Sequence, residues 1–269
     1  MGRDGTGVLN ITNGGLVDGS TQLTAAIGRK VGGDGTVNVT GTGSTWRAGA
    51  QISLGLDVAV GSNVVSGPGG TGRLNVANGG QVFANDIVNG ATGTISGGGG
   101  TITANIQNQG TIGPGNAPGL MQVFGNVNLQ AGSTVALELG GLVVDTGYDR
   151  LDVADAESTG TVEGNADIAA GSIFDIDFFG GFVAGLGDTF DVLVADDITV
   201  VDLGAVVFDF SGALLGTGLA WNTAIVAFDG VREALRLTVV SDEVAVPEPG
   251  AILILLAGLV GLLIIRRQT

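Results

Sequence analysis

Gly35-Thr36-Val37-Asn38-Val39 is the central copy of a five-residue core that occurs three times; the other copies are Gly7-Val8-Leu9-Asn10-Ile11 and Gly72-Arg73-Leu74-Asn75-Val76. Apolar and polar residues alternate in each copy, which is the two-residue period of a β-strand. Each core is therefore predicted to form a strand with one buried and one exposed face.

A second landmark, an apolar residue followed by glycine, precedes each core. Gly2, Gly28 and Gly55 occupy this position, so the chain repeats every 26 to 27 residues. Such a period holds about three short strands and their turns, which is one coil of a solenoid. We predict an all-β chain whose residues 1–112 form parallel β-helix repeats. A meander or sandwich of antiparallel strands is the alternative.

Stacking of the coils would place equivalent residues above one another. The apolar core residues would then be buried together on one face: Leu9, Ile11, Val37, Val39, Leu74 and Val76. The asparagines Asn10, Asn38 and Asn75 would form a row on the opposite face. The fixed period with its aligned landmarks favours this stacking over a sandwich.

Residues 113–243 remain strand-like but repeat less regularly. Residues 174–178, for example, alternate apolar and acidic side chains in the sequence FDIDF. We predict a β-rich closing region that seals the hydrophobic end of the coils. Trp46 and Trp221 are interpreted as packing anchors, with stacking on a sugar as the alternative.

Composition excludes much enzyme chemistry. The chain has 51 glycines among 269 residues, no histidine and no cysteine, so His-dependent triads, the usual zinc sites and disulfides are ruled out. The net charge of −16 argues against nucleic acid as a partner. We predict no enzyme activity, no catalytic residue, no cofactor and no bound metal.

Acidic clusters are the remaining candidates for chemistry. Oxygen ligands for Ca²⁺ could come from Asp145, Asp149, Asp152 and Asp155, or from Asp196 and Asp197, although their spacing matches no calcium loop. Paired carboxylates could also hydrolyse glycosides. We expect these acids instead to lie on solvated strand faces.

The C-terminal end differs from the rest of the chain. Residues 251–265 carry no polar side chain, and Arg266 and Arg267 follow directly. A helix of this length is about 22 Å long, short of a hydrocarbon core of about 30 Å, but snorkelling arginines and local thinning of the bilayer reduce the mismatch. We predict a transmembrane helix with the arginines in the cytoplasm. A buried helix of a soluble domain is the alternative.

Pro247-Glu248-Pro249, the apolar segment and Arg266-Arg267 stand in that order at the end of the chain. This tripartite arrangement, over residues 244–269, resembles the PEP-CTERM sorting signal of Gram-negative bacteria. The resemblance implies a sorting motif at Pro247, Glu248, Pro249, Arg266 and Arg267. It also implies an exosortase-type processing enzyme as partner, cleavage near the Pro-Glu-Pro motif and a cell-surface or extracellular destination.

The N-terminal repeats resemble those of autotransporter-like passenger proteins. The resemblance rests on Thr6-Gly7, on Asp34-Gly35 and on the turn Gly43-Ser44-Thr45-Trp46, and it covers residues 1–112. It implies a solenoid fold. Residues 1–7 lack the apolar segment of the signal peptide that an exported protein needs, so we interpret Met1 as a truncated or mis-assigned start.

Two classes of function are consistent with these features. The first is a non-enzymatic surface or matrix protein, passing through the inner membrane to the cell exterior, with a structural or adhesive role in a biofilm. Its acidic surface would associate with acidic exopolysaccharide through divalent cations. The second is a carbohydrate-active or carbohydrate-binding β-helix protein that acts on exopolysaccharide.

Overall fold

The computed structural model describes residues 1–58, 65–115, 118–155 and 164–242. Within these ranges the chain is all-β, apart from a 3₁₀ helix at Leu203–Ala205. In chain order, the strands of the first half are β1 (Thr6–Thr12), β2 (Leu16–Asp18), β3 (Thr24–Ile27), β4 (Asp34–Thr40), β5 (Thr45–Arg47), β6 (Gln51–Leu54), β7 (Leu56–Val58), β8 (Val65–Pro68), β9 (Thr71–Ala77), β10 (Gln81–Asn89), β11 (Gly93–Ser96) and β12 (Thr101–Asn108). Those of the second half are β13 (Thr111–Gly113), β14 (Leu120–Phe124), β15 (Val127–Leu129), β16 (Thr134–Leu139), β17 (Arg150–Ala154), β18 (Asn165–Ile168), β19 (Ile173–Phe178), β20 (Thr189–Ala195), β21 (Asp197–Val200), β22 (Val207–Gly212), β23 (Leu219–Ala227) and β24 (Glu233–Ser241).

Strands from successive returns of the chain pair in parallel. The first sheet has the order β1-β4-β9-β11-β13-β16-β19-β22, and the second contains β2-β5-β10-β12-β14-β17-β20. Two parallel series join the second sheet through β10 and β12, namely β3-β6 and β15-β18-β21. This order is compatible with a parallel β-helix, in which each coil adds strands to each sheet. The antiparallel alternative is therefore wrong for the cores.

The predicted rows of the three cores are confirmed. Leu9 pairs with Val37 and Val37 with Leu74, while Asn10, Asn38 and Asn75 form the next row. Val37 and Val39 are fully buried, whereas Leu9 is partly buried because β1 is the first strand of its sheet. The Asn38 amide Nδ2 donates to Asn10 Oδ1 at 2.7 Å on the outer face.

The landmark glycines stand where a coil turns against its neighbour. Gly2, Gly28 and Gly55 all have positive φ, between 60° and 66°. A Cβ on Gly28 would lie 2.0 Å from the carbonyl oxygen of Thr71 in the next coil. Glycine alone supplies both the backbone conformation and the space for this approach.

Parallel pairing continues beyond residue 112, through β13–β16, β16–β19 and β19–β22. The division of the chain at residues 112 and 243 stays a prediction. The second sheet ends differently, because β24 pairs antiparallel with both β20 and β23. This antiparallel closure stops the parallel series of that sheet.

Aromatic side chains fill the C-terminal end of the core. Trp221 stacks on Phe210 with ring centroids 5.1 Å apart, and its Nε1 donates to the Ala213 carbonyl oxygen at 3.0 Å. Trp46 is buried in the core of the N-terminal coils. Both tryptophans therefore pack as predicted.

No helix within the described ranges is long and apolar enough to cross a membrane. The predicted transmembrane helix at 251–265 lies outside those ranges, as does the whole segment 244–269.

Candidate functional site: an acidic face on the first sheet

Four carboxylates lie together on the outer surface of the first sheet, and we call this group the acidic face. It consists of Glu138 on β16, Asp175 and Asp177 on β19, and Asp209 on β22. The parallel register pairs Glu138 with Asp177 and Asp175 with Asp209. Strand alternation produces this surface, because the intervening Leu137, Phe174 and Ile176 point into the core.

The acidic face is electrostatically crowded. The pKa of Asp175 is raised, chiefly by partial burial and further by the neighbouring charges of Asp177 and Asp209. Hydrogen bonds from the Ser211 backbone N–H, at 2.9 Å, and from its hydroxyl lower the pKa of Asp209. No salt bridge in the described part of the chain neutralises any of the four. The arrangement favours the approach of cations.

A cavity of about 330 Å³ opens beside the acidic face and is lined by Glu138, Asp177 and Asp149. Asp149 is 2% exposed, and burial raises its pKa to about 6. Its Oδ1 accepts from the Gly119 N–H at 2.6 Å, and its Oδ2 accepts from the Glu138 N–H at 2.9 Å. Asp149 therefore ties the loop before β14 to strand β16.

Burial of Asp149 and Asp152 corrects the expectation that these acids lie on solvated faces. Asp152 is 8% exposed and forms salt bridges with Arg150 at 3.1 Å and Arg232 at 2.9 Å. Both arginines also lie against the ring of Phe228. The carboxylate is buried because these two cations replace its contacts with water. Arg232 also joins β17 to the turn between β23 and β24.

The acids of the candidate calcium clusters accept hydrogen bonds from the protein itself. Asp145 accepts from the Leu120 N–H at 3.1 Å, Asp196 from the Gly164 N–H at 3.0 Å, and Asp197 from the Thr199 hydroxyl at 3.0 Å. Asp155, the remaining acid of the first predicted cluster, also makes an interaction within the protein. Across the residues placed by the structure, no group of three or more acidic side chains is arranged to hold a metal ion.

Part of the acidic face could be recognised in the sequence. The alternation of residues 174–178 indicated that Asp175 and Asp177 share an outer face. The sequence does not predict that Glu138 and Asp209 lie beside them, because these residues are distant in sequence and only the strand register brings them alongside. The predicted sorting motif, Pro247, Glu248, Pro249, Arg266 and Arg267, lies outside the described residues.

Comparison with known proteins gives no assignment. No protein-family model matches the chain, and no curated protein matches it.

Proposed function

We propose that this chain is a non-enzymatic bacterial cell-surface or extracellular matrix protein, built on a parallel β-helix and sorted by an exosortase-type enzyme. The observation that carries the sorting proposal is the order Pro247-Glu248-Pro249, apolar segment, Arg266-Arg267 at the end of the chain. The stacked parallel strands support the solenoid. The protein passes through the inner membrane, held by its apolar segment, and reaches the surface after cleavage.

The acidic face supports a structural or adhesive role in the matrix. Residues 1–249 hold 8 basic and 26 acidic residues, so a body released near the Pro-Glu-Pro motif carries 8 − 26 = −18 charges. Such a body repels acidic exopolysaccharide unless a cation lies between them. Divalent cations that share ligands between the acidic face and the polysaccharide supply this bridge.

The sorting proposal is tested by altering the motif. Glu248, Pro247 and Pro249 are changed together to alanine in a host that has the sorting enzyme, and the mass of the surface-exposed protein is measured. We expect the original chain to lose its apolar tail and the variant to keep it. Arg3→Ala provides a distant control. Equal processing of variant and original would refute the assignment.

The cation bridge is tested with acidic exopolysaccharide in Ca²⁺ and in chelator. We expect binding in Ca²⁺ alone, weakened about tenfold in the double variant Asp175→Asn/Asp177→Asn. The control Asp4→Asn/Asp202→Asn removes the same charge from exposed positions elsewhere. Binding that is indifferent to chelator, or equal loss in both variants, would contradict a role for the acidic face.

A carbohydrate-active enzyme is the second candidate, and Asp149 is the observation that favours it. A carboxyl group with a pKa of about 6 beside an acidic cavity is a pattern found in glycosidases. Both of its oxygens, however, already accept backbone hydrogen bonds. Incubation with the exopolysaccharide distinguishes the two candidates: depolymerisation that is abolished by Asp149→Asn would establish the enzyme.

A further inference from the structure

A polar groove crosses the outer surface formed by β10, β12, β15 and β18. It has a volume of about 440 Å³, and its polar lining includes Asp86, Asn105, Gln107, Asn126, Asn128 and Asp167. Asp86 pairs with Asn105, while Gln107, Asn128 and Asp167 form one row across three strands. With neighbouring strands about 4.8 Å apart, the groove extends about 14 Å across the coils.

Backbone hydrogen bonds fix two of the amides of this groove, those of Asn105 and Asn126, in one orientation. Asn105 Oδ1 accepts from the Asn126 N–H at 3.1 Å, and Asn126 Oδ1 accepts from the Asn165 N–H at 3.0 Å. Each side-chain oxygen is thereby used within the protein. The amide NH₂ groups of Asn105 and Asn126 remain as hydrogen-bond donors for a ligand.

The carboxylates at the two ends supply the complementary acceptors. Asp86 lies at one end and Asp167 at the other, on strands β10 and β18. Among the residues that the structure describes, the lining contains no lysine, arginine or aromatic side chain, so they offer neither a cation for an anionic ligand nor a ring for stacking. A neutral ligand with many hydroxyl groups satisfies such a surface, because each hydroxyl both donates and accepts.

We propose that this groove binds a strand of neutral glycan lying across the stacked coils. The inference rests on the proposed surface function, since it supplies that function with an adhesive ligand. It involves a different surface from the acidic face, and it requires no divalent cation.

The test uses the full chain in detergent, with EDTA present to remove any cation bridge. Neutral linear hexasaccharides of glucose, mannose and galactose are titrated calorimetrically, beside hexagalacturonate as the anionic probe. We expect at least one neutral hexasaccharide to bind and hexagalacturonate not to bind. Absence of binding by all three neutral probes, or preference for hexagalacturonate, would overturn the proposal.

Two variants place the binding in the groove. Asn105→Asp/Asn126→Asp keeps the oxygen that accepts the backbone N–H but removes both NH₂ donors, and Gln107→Ala/Asn128→Ala removes side chains without adding charge. We expect each to weaken binding about tenfold or more, with an unchanged circular dichroism spectrum. Asn13→Asp/Asn222→Asp, at two exposed positions outside the groove, is the matched control and should bind normally. Unchanged affinity in both groove variants would place the glycan elsewhere and overturn the assignment. Tail cleavage and Ca²⁺-dependent binding are measured in separate experiments. A failure of neutral glycan binding would therefore not contradict the proposed function.

Discussion

At the residue scale, the interior contains polar side chains that form hydrogen bonds between neighbouring strands. Asn89 is fully buried on β10, and its Nδ2 donates to Asn108 Oδ1 at 2.7 Å and to the Thr111 carbonyl oxygen at 3.1 Å. Asn108 in turn donates to the Gly110 carbonyl oxygen at 3.2 Å. The sequence indicated the outer asparagine row but not this inner pair, because only the path of the chain at the turn shows that these amides point inward.

Asp149 should make stability depend on pH. Its pKa is about 6 in the folded protein against an ordinary value of 3.8, so between these values the folded state binds more protons than the unfolded state. Its contribution therefore favours folding at low pH and is lost as the pH rises from about 4 to about 6. The free energy of unfolding falls by about 3 kcal/mol over this range. We expect Asp149→Asn to remove this component from the free energy of unfolding measured in urea at several pH values. Asp145→Asn, at an exposed carboxylate, should retain it; an unchanged pH profile in Asp149→Asn would contradict the assignment.

Val39→Asp tests burial in the core. Val39 is fully buried, so the new carboxylate would have no partner and should cost about 3–5 kcal/mol. We expect loss of the β spectrum or a much lower midpoint of thermal unfolding. Val8→Asp is the matched control, because Val8 lies on the exposed face of β1 and the change should be tolerated. A stable Val39→Asp variant with an unchanged spectrum would count against the stacked core.

At the scale of elements, the strand period and the glycine landmarks predicted the position of the core strands correctly, whereas the acidic clusters did not predict the surroundings of their side chains. The core strands and their order followed from a fixed repeat, and the register put Val37 between Leu9 and Leu74 as expected. Burial of Asp149 and Asp152 was not predictable, because both depend on distant partners such as Gly119 and Arg232. Local alternation predicts which face of a strand a side chain occupies, but not which distant residues contact it.

Gly28 and Gly32 distinguish two roles of glycine in the turns, namely a positive φ and the close approach of a neighbouring coil. Both have positive φ, which costs an alanine about 1–2 kcal/mol, but only at Gly28 would the Cβ also meet the next coil. At Gly32 no heavy atom lies within 4 Å of the added Cβ. We expect Gly28→Ala to lose more unfolding free energy than Gly32→Ala in the same urea titration. Equal losses would show that the contact between coils at Gly28 carries no constraint.

At the scale of the whole molecule, the acidic face and the polar groove both depend on the alignment of successive coils. Each surface combines residues from three or more strands that are separated in sequence by whole coils. A shift of the register by one residue would turn these side chains inward and disperse both surfaces. The central claim is therefore that the strands stack in parallel in the register described.

Engineered cysteines measure this register directly, because the chain has no cysteine of its own. Asn38 pairs with Asn75 on neighbouring strands, whereas Asn38 and Arg73 are offset by two residues. Neighbouring Cα atoms about 4.8 Å apart suit a disulfide, while the diagonal separation of about 8 Å exceeds its reach. Under mild oxidation, we predict a disulfide in Asn38→Cys/Asn75→Cys and little or none in Asn38→Cys/Arg73→Cys, scored by mass spectrometry after proteolysis. Preferential bonding of the offset pair, or no bond in the aligned pair, would contradict the stacked parallel arrangement.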